Sequence, residues 1–186
     1  MYFCPKRRIN MDKYRTYIQQ TSFDGQSYAK GSVIDTLSKF HIGCLSFPFK
    51  TAPKSQKLTE REWPGVDGKD VYIPPTGIPL EDYDLEVEFI YKGTMETIET
   101  DMASFLDFIR GRNKGAVGGR LTVYDEHVGF GRKDVVVDEI DDQYYGADQS
   151  DPDALFDFKV KFHVYDPATP VELVKGTDGV VTDLSF

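Results

Sequence analysis

The reactive side chains of this 186-residue chain are few: three histidines, two cysteines and one dense run of carboxylates. His41, His127 and His163 are far apart in sequence. His163 falls on the outward side of a strand pattern, and His127 sits in a turn beside Asp125 and Glu126. A metal or acid–base role would need such residues to converge, and isolated histidines among carboxylates are ordinarily solvated. Cys4 and Cys44 fit no CxxC or Cys/His spacing, so neither a disulfide framework nor a zinc site is expected. No nucleophile elbow, His-Glu-x-x-His or Cys/His signature is present. The stretch from Gly111 to Gly119 is glycine-rich but lacks the Gly-Lys-Ser/Thr ending of a phosphate loop and follows a helix instead of opening one. It is expected to be a connector.

Residues 138–153 hold seven carboxylates and no base: Asp138, Glu139, Asp141, Asp142, Asp148, Asp151 and Asp153. Three readings stay open: a solvated acidic loop, a calcium site, or an interface with basic residues of another copy. The spacing does not fit the EF-hand loop. A hydrolase using a pair of these carboxylates is a weaker alternative, because nothing places two of them around a pocket. Trp63, the only tryptophan, is either core packing or a contact anchor of the kind that dominates binding hot spots. No catalytic residue, cofactor site or metal site is assigned, and the chain is not expected to be an enzyme.

These residues must be held by a mainly β scaffold. Over 83–91, Tyr83, Leu85, Val87, Phe89 and Tyr91 alternate with Asp84, Glu86 and Glu88, the period-2 pattern of a half-buried antiparallel strand. Over 156–165, Phe156, Phe158, Val160, Phe162 and Val164 face inward, with Asp157, Lys159, Lys161 and His163 outward. Shorter strands are expected at 43–49, 57–63, 70–73, 119–124 and 132–140, the last two joined by a hairpin at Val128-Gly129-Phe130-Gly131. One helix is expected at about 97–110. Ile98, Met102, Phe105, Leu106 and Ile109 form a single apolar stripe, carboxylates crowd its start, and Gly111 follows its end. The stripe must cover an open face or end of the sheet. Strands, one helix, then strands define a mainly β fold: an antiparallel split β-barrel or sandwich with one flanking helix.

The length suits one domain, since domains average about 150 residues. Residues 31–170 are taken as that domain, flanked by a polar N-terminal arm at 1–30 and a C-terminal arm at 171–186. Met11 begins a second plausible start, so residues 1–10 are either a reading-frame extension or a basic arm. Lys6, Arg7 and Arg8 follow a very short apolar start, the wrong order for a signal peptide, and a cytosolic start is expected. No apolar run reaches the ~18 residues of a membrane helix. The net charge of −9 argues against general affinity for nucleic acid or anionic membrane. The charge is uneven: residues 1–69 carry twelve Lys/Arg against six Asp/Glu, and residues 70–186 ten against twenty-five. Chance unevenness is one explanation; a basic face of one copy meeting an acidic face of the next is the other.

The segment Glu62-Trp63-Pro64-Gly65-Val66-Asp67-Gly68 resembles the Pro-Gly-Arg-Asp-Gly turn near the start of phage distal tail proteins, the adaptors between tail tube and tail tip. Val66 stands where that turn has Arg. The order that follows is also similar: an amphipathic strand, one helix with the pair Phe105-Leu106, a Gly-rich connector, a strand ending Tyr124-Asp125, a hairpin, and a last strand closing with Asp166-Pro167. The resemblance covers roughly residues 31–170 and leaves no room for a large second domain. It implies a split β-barrel assembling as a hexameric ring around the DNA channel. It also implies other tail proteins as partners, no sequence-specific nucleic-acid binding, and a place in the virion tail after assembly in the host cytoplasm. Arg61, Glu62, Trp63, Pro64, Gly65, Asp67 and Gly68 are then the expected subunit contact. A tail tube subunit of the same fold is the near alternative. A monomeric β-sandwich module binding sugar or peptide through Tyr144 and Tyr145 is the distant one.

Overall fold

The computed structural model describes residues 15–50, 53–141 and 156–186. Its elements in chain order are β1 (Thr16–Phe23), β2 (Tyr28–Asp35), α1 (Thr36–Phe40), β3 (Ile42–Ser46), β4 (Thr59–Arg61), β5 (Asp70–Tyr72), β6 (Tyr83–Tyr91), α2 (Ile98–Ile109), β7 (Arg120–Asp125), β8 (Phe130–Asp141), β9 (Phe156–Val164), β10 (Glu172–Lys175) and β11 (Val181–Ser185). Seven strands form one antiparallel sheet in the order β2-β1-β7-β8-β9-β6-β3; β4-β5 and β10-β11 are separate two-stranded ribbons.

β6 and β9 pair along their whole length, from Tyr83↔Val164 to Tyr91↔Phe156. Their alternation puts Leu85, Val87 and Phe89 opposite Phe162, Val160 and Phe158, all buried. One apolar face of this width cannot stay open to water. The sheet rolls around it: Cys44 of β3 lies against Thr16 of β1 and Asp125 of β7, although four strands separate β3 from β1 along the sheet. Phe47, just beyond β3, packs on Phe130 of β8 at 6.2 Å. The roll stops short of a closed barrel, because β2 and β3 do not pair. α1 links these two edges, capped by Asp35, whose carboxylate accepts from the backbone N–H of Leu37 at 3.0 Å.

α2 fills the mouth of the roll, as the apolar stripe requires. Phe105 and Ile109 are fully buried, and the Phe105 ring meets Phe40, Phe89 and Phe158 at 5.6–6.0 Å. Gly111 ends the helix at φ +66, and a Cβ there would come within 2.6 Å of the Gly118 carbonyl oxygen. Both the left-handed backbone and the close approach exclude a side chain. The Gly-rich segment is the connector expected, running from α2 to β7.

The expected N-terminal arm is corrected by the structure: residues 16–23 form β1, at the second position of the sheet. β1 eludes pattern reading because its buried residues are polar. Thr16, Gln19, Gln20 and Thr21 are as inaccessible as its neighbours Tyr17 and Ile18. The burial is tolerable because the amides are satisfied. Gln19 Nε2 donates to the Gly31 carbonyl at 2.8 Å and to Asp183 at 2.9 Å. The expected C-terminal arm is likewise ordered. Residues 172–185 form the β10-β11 hairpin, whose Leu184 joins Tyr17 and Val171 in a second small core on the outer face of β1. Phe105→Ala is expected to cost about 3–5 kcal/mol, measured by chemical denaturation, because the space it leaves is lined by three rigid rings.

Candidate functional site

Between β3 and β6 the chain leaves the body as a long hairpin. Its base is closed by a Ser55↔Leu80 bridge made of two backbone hydrogen bonds: the Gln56 N–H donates to the Pro79 carbonyl at 2.8 Å, and the Glu81 N–H to the Lys54 carbonyl at 2.7 Å. Lys54 and Glu81 add an ion pair at 3.2 Å. Further out, β4 and β5 pair as Thr59↔Tyr72, Glu60↔Val71 and Arg61↔Asp70. The tip is built by sequence: Pro64 and Gly65 occupy the central positions of a turn in which the Val66 N–H donates to the Trp63 carbonyl at 3.2 Å. Gly65 has φ +77, the value a type II turn demands.

The predicted contact residues all lie on this tip, and all are exposed. The Arg61 guanidinium stacks 3.7 Å from the centre of the Trp63 ring, a cation–π contact. Glu62 pairs with Lys69 at 3.3 Å, and Lys69 also holds Glu60 at 3.0 Å. Those two carboxylates explain why the Lys69 ammonium is raised above its ordinary range. Gly68 has φ +89 and turns the chain back into β5. Trp63 is therefore not core: it is 46% exposed, with Val66 at 64%, Tyr72 at 66% and Ile73 at 55%. Val71 and Ile78 complete an apolar set on an arm with no core of its own. Sequence reasoning missed Tyr72, Ile73 and Ile78; the signal available was the apolar run Val71-Tyr72-Ile73, set between two turns.

The returning limb of the arm is tied down by His163 of β9. Its Nδ1 lies 2.8 Å from Asp84 of β6, and its Nε2 lies 2.8 Å from Asp82, the residue after the arm's closing Glu81. Carboxylates only accept, so both ring nitrogens must carry protons. The hydrogen bond to Asp84, followed by that to Asp82, holds the imidazole pKa above its ordinary value near 6.5. The rest of this outer face is a charge ladder. Glu86 stands opposite Lys161 and Glu88 opposite Lys159 on β9, while Glu139 and Asp141 of β8 flank the same lysines. Lys161 bonds Asp138 at 2.9 Å and Asp84 at 3.1 Å.

The remaining reactive residues do not converge. His41 caps α1 and pairs with Asp101 at 2.9 Å. Cys44 is buried, and desolvation pushes its pKa up to about 12. Among the described residues, no three His, Cys, Asp or Glu side chains are grouped to hold a metal, and no helix is long and apolar enough to cross a membrane. Asp142, Asp148, Asp151 and Asp153, with Tyr144 and Tyr145, lie outside the described residues.

No protein-family model and no curated protein matches the sequence. Among solved structures, the chain is similar to the Dit protein (gp 19.1) of phage SPP1, described as a paradigm of the hub adsorption apparatus in phages infecting Gram-positive bacteria. Identity is 15% and the TM-score 0.45, over 87% of this chain and 59% of that one.

The His163 clamp gives a signed prediction. A raised histidine pKa contributes stability that is complete below the ordinary value and lost as pH rises through the folded value. The melting temperature of the wild type is expected to fall across that window more than that of His163→Gln. An imidazole titration by NMR at or below the ordinary value would remove the clamp.

Proposed function

We propose that this chain is a structural protein of a phage or prophage tail, a ring-forming adaptor of the distal tail type. It acts by assembly, not catalysis. One observation carries the reading: the turn that resembles the distal tail protein motif lies at the tip of an exposed hairpin studded with apolar side chains. A two-stranded ribbon this short is marginal alone in water. Six large apolar residues on it gain most by being covered, and exposed sets of this kind mark interaction sites. Arg61, Trp63 and Tyr72 are also the residue types enriched at hot spots.

An arm on one side of the subunit, meeting a different surface on the next copy, makes a head-to-tail contact. Such contacts close into a ring when the rotation allows and otherwise grow as a filament. The same geometry therefore serves a terminal adaptor or a tube subunit. The acidic surplus suits a channel through which DNA slides without sticking. Other tail proteins would cover the ring's two faces, and the assembled ring would reside in the virion tail.

Light scattering across protein concentration tests this. A mass near six subunits is expected for the adaptor, and a growing polymer for the tube subunit. Arg61→Ala and Trp63→Ala are expected to weaken the assembly while leaving the subunit's melting temperature within about 1 °C, because neither side chain is buried in the core. Equal loss of both properties, or of neither, refutes the contact.

A further inference from the structure

The body of the molecule carries a groove that matches the tip of the arm. It opens between β2, α1, the C-terminal half of α2 and the connector after it, and encloses about 470 Å³. Its walls are the side chains of Ile34, Phe40, Phe108 and Val117. Its floor is Gln20, whose amide is already spent within the protein. Nε2 donates to the Phe108 carbonyl at 2.6 Å and to Asn113 Oδ1 at 2.7 Å, while Oε1 accepts from the Val117 N–H at 3.4 Å. A polar ligand would find little on that floor left to bond. An apolar side chain would lose nothing by entering. At the rim stand Lys39 and Lys114, both exposed and neither with a carboxylate partner among the described residues.

We propose that this groove receives the tip of the hairpin arm of a second copy, with Trp63 and Val66 against the apolar walls and Asp67 toward Lys114. The inference rests on the ring-forming reading above and names the surface that completes it. Size, polarity and charge favour this occupant. The volume accommodates an indole and a neighbouring aliphatic side chain. The tip from Glu60 to Asp70 carries four carboxylates against Arg61 and Lys69, a net negative charge. The rim offers two lysines against Asp107. The chain's own arm is not seated there: β4 and β5 pair only with each other and leave the body on the β6 side. Because arm and groove are different surfaces, each copy would give one and receive one, which is the head-to-tail contact a ring requires.

Chains with one introduced cysteine test the match in a Cys4→Ser background, in which the only native thiol, Cys44, is buried. One chain carries Val66→Cys and the other Lys114→Cys; both sites are exposed, so neither substitution threatens the fold. The two are mixed, allowed to assemble and oxidised. A disulfide requires Cα atoms within about 7 Å. The expected product is the mixed dimer, absent when Val180→Cys replaces Lys114→Cys. Lys114→Glu is expected to weaken assembly about tenfold and Asp67→Lys to restore it, the signature of one close interfacial charge pair. Mixed dimers absent while light scattering still shows an assembly overturn the groove and leave the ring reading standing. Homodimers of the Val66→Cys chain alone mean that arm meets arm, and also overturn it. A wild-type chain that stays monomeric at every concentration overturns both.

Discussion

The amide of Gln20 is the fastening on which the rest of the molecule hangs. It sits on β1, inside the rolled sheet, and reaches the last turn of α2 and the connector beyond it. α2 can only plug the mouth of the roll if its C-terminal end is held at the right height above β1. The carbonyl of Phe108 accepts from the Gly111 N–H at 3.1 Å, and Gln20 supplies a second donor to the same oxygen at 2.6 Å. The same side chain fixes Asn113 and Val117, so the chain re-enters the sheet as β7 directly beside β1. Buried and fully bonded, this amide specifies one arrangement of helix, connector and sheet. An apolar residue there would forfeit all three of these bonds, to the Phe108 carbonyl, Asn113 and the Val117 N–H.

How much of this was legible in the sequence depended on how each strand is buried. β6 and β9 have one dry face and one wet one, so alternation marked them to within a residue at most. α2 was equally plain, because a single stripe of Ile98, Met102, Phe105, Leu106 and Ile109 is what a helix capping a sheet needs. β1 was not legible. It is buried on both faces, yet Thr16, Gln19, Gln20 and Thr21 give it the composition of a surface segment. Its burial depends on partners far along the chain, Asp125, Phe108 and Asp183, which no local window contains. The C-terminal hairpin was hidden for the same reason: Leu184 is apolar in isolation, and only the outer face of β1 makes it core.

The candidate site divides in the same way. The turn at Pro64-Gly65 announces itself, since a proline followed by a glycine with positive φ encodes a turn by backbone chemistry alone. That the turn stands on an arm clear of the body is not encoded locally. It follows from β4 and β5 finding no place in the seven-stranded sheet. The body and the arm thus have opposite economies of surface. The body bonds the buried amides of Gln19 and Gln20 internally. The arm leaves Trp63, Tyr72 and Ile73 in water.

Cys44 sits on the seam of the roll, where β3 comes up against Thr16 and Asp125 without pairing to them. Burial keeps it a thiol at any physiological pH, and only the thiolate attacks disulfides and alkylating reagents. Its chemistry is therefore switched by geometry: it stays silent while the seam is shut and wakes when β3 swings away from β1. The molecule carries its own reporter of breathing where β3 lies against β1 and β7 without pairing to them. Modification at Cys44 would accumulate in proportion to the population of that open state, or at its opening rate where the reagent outpaces reclosing.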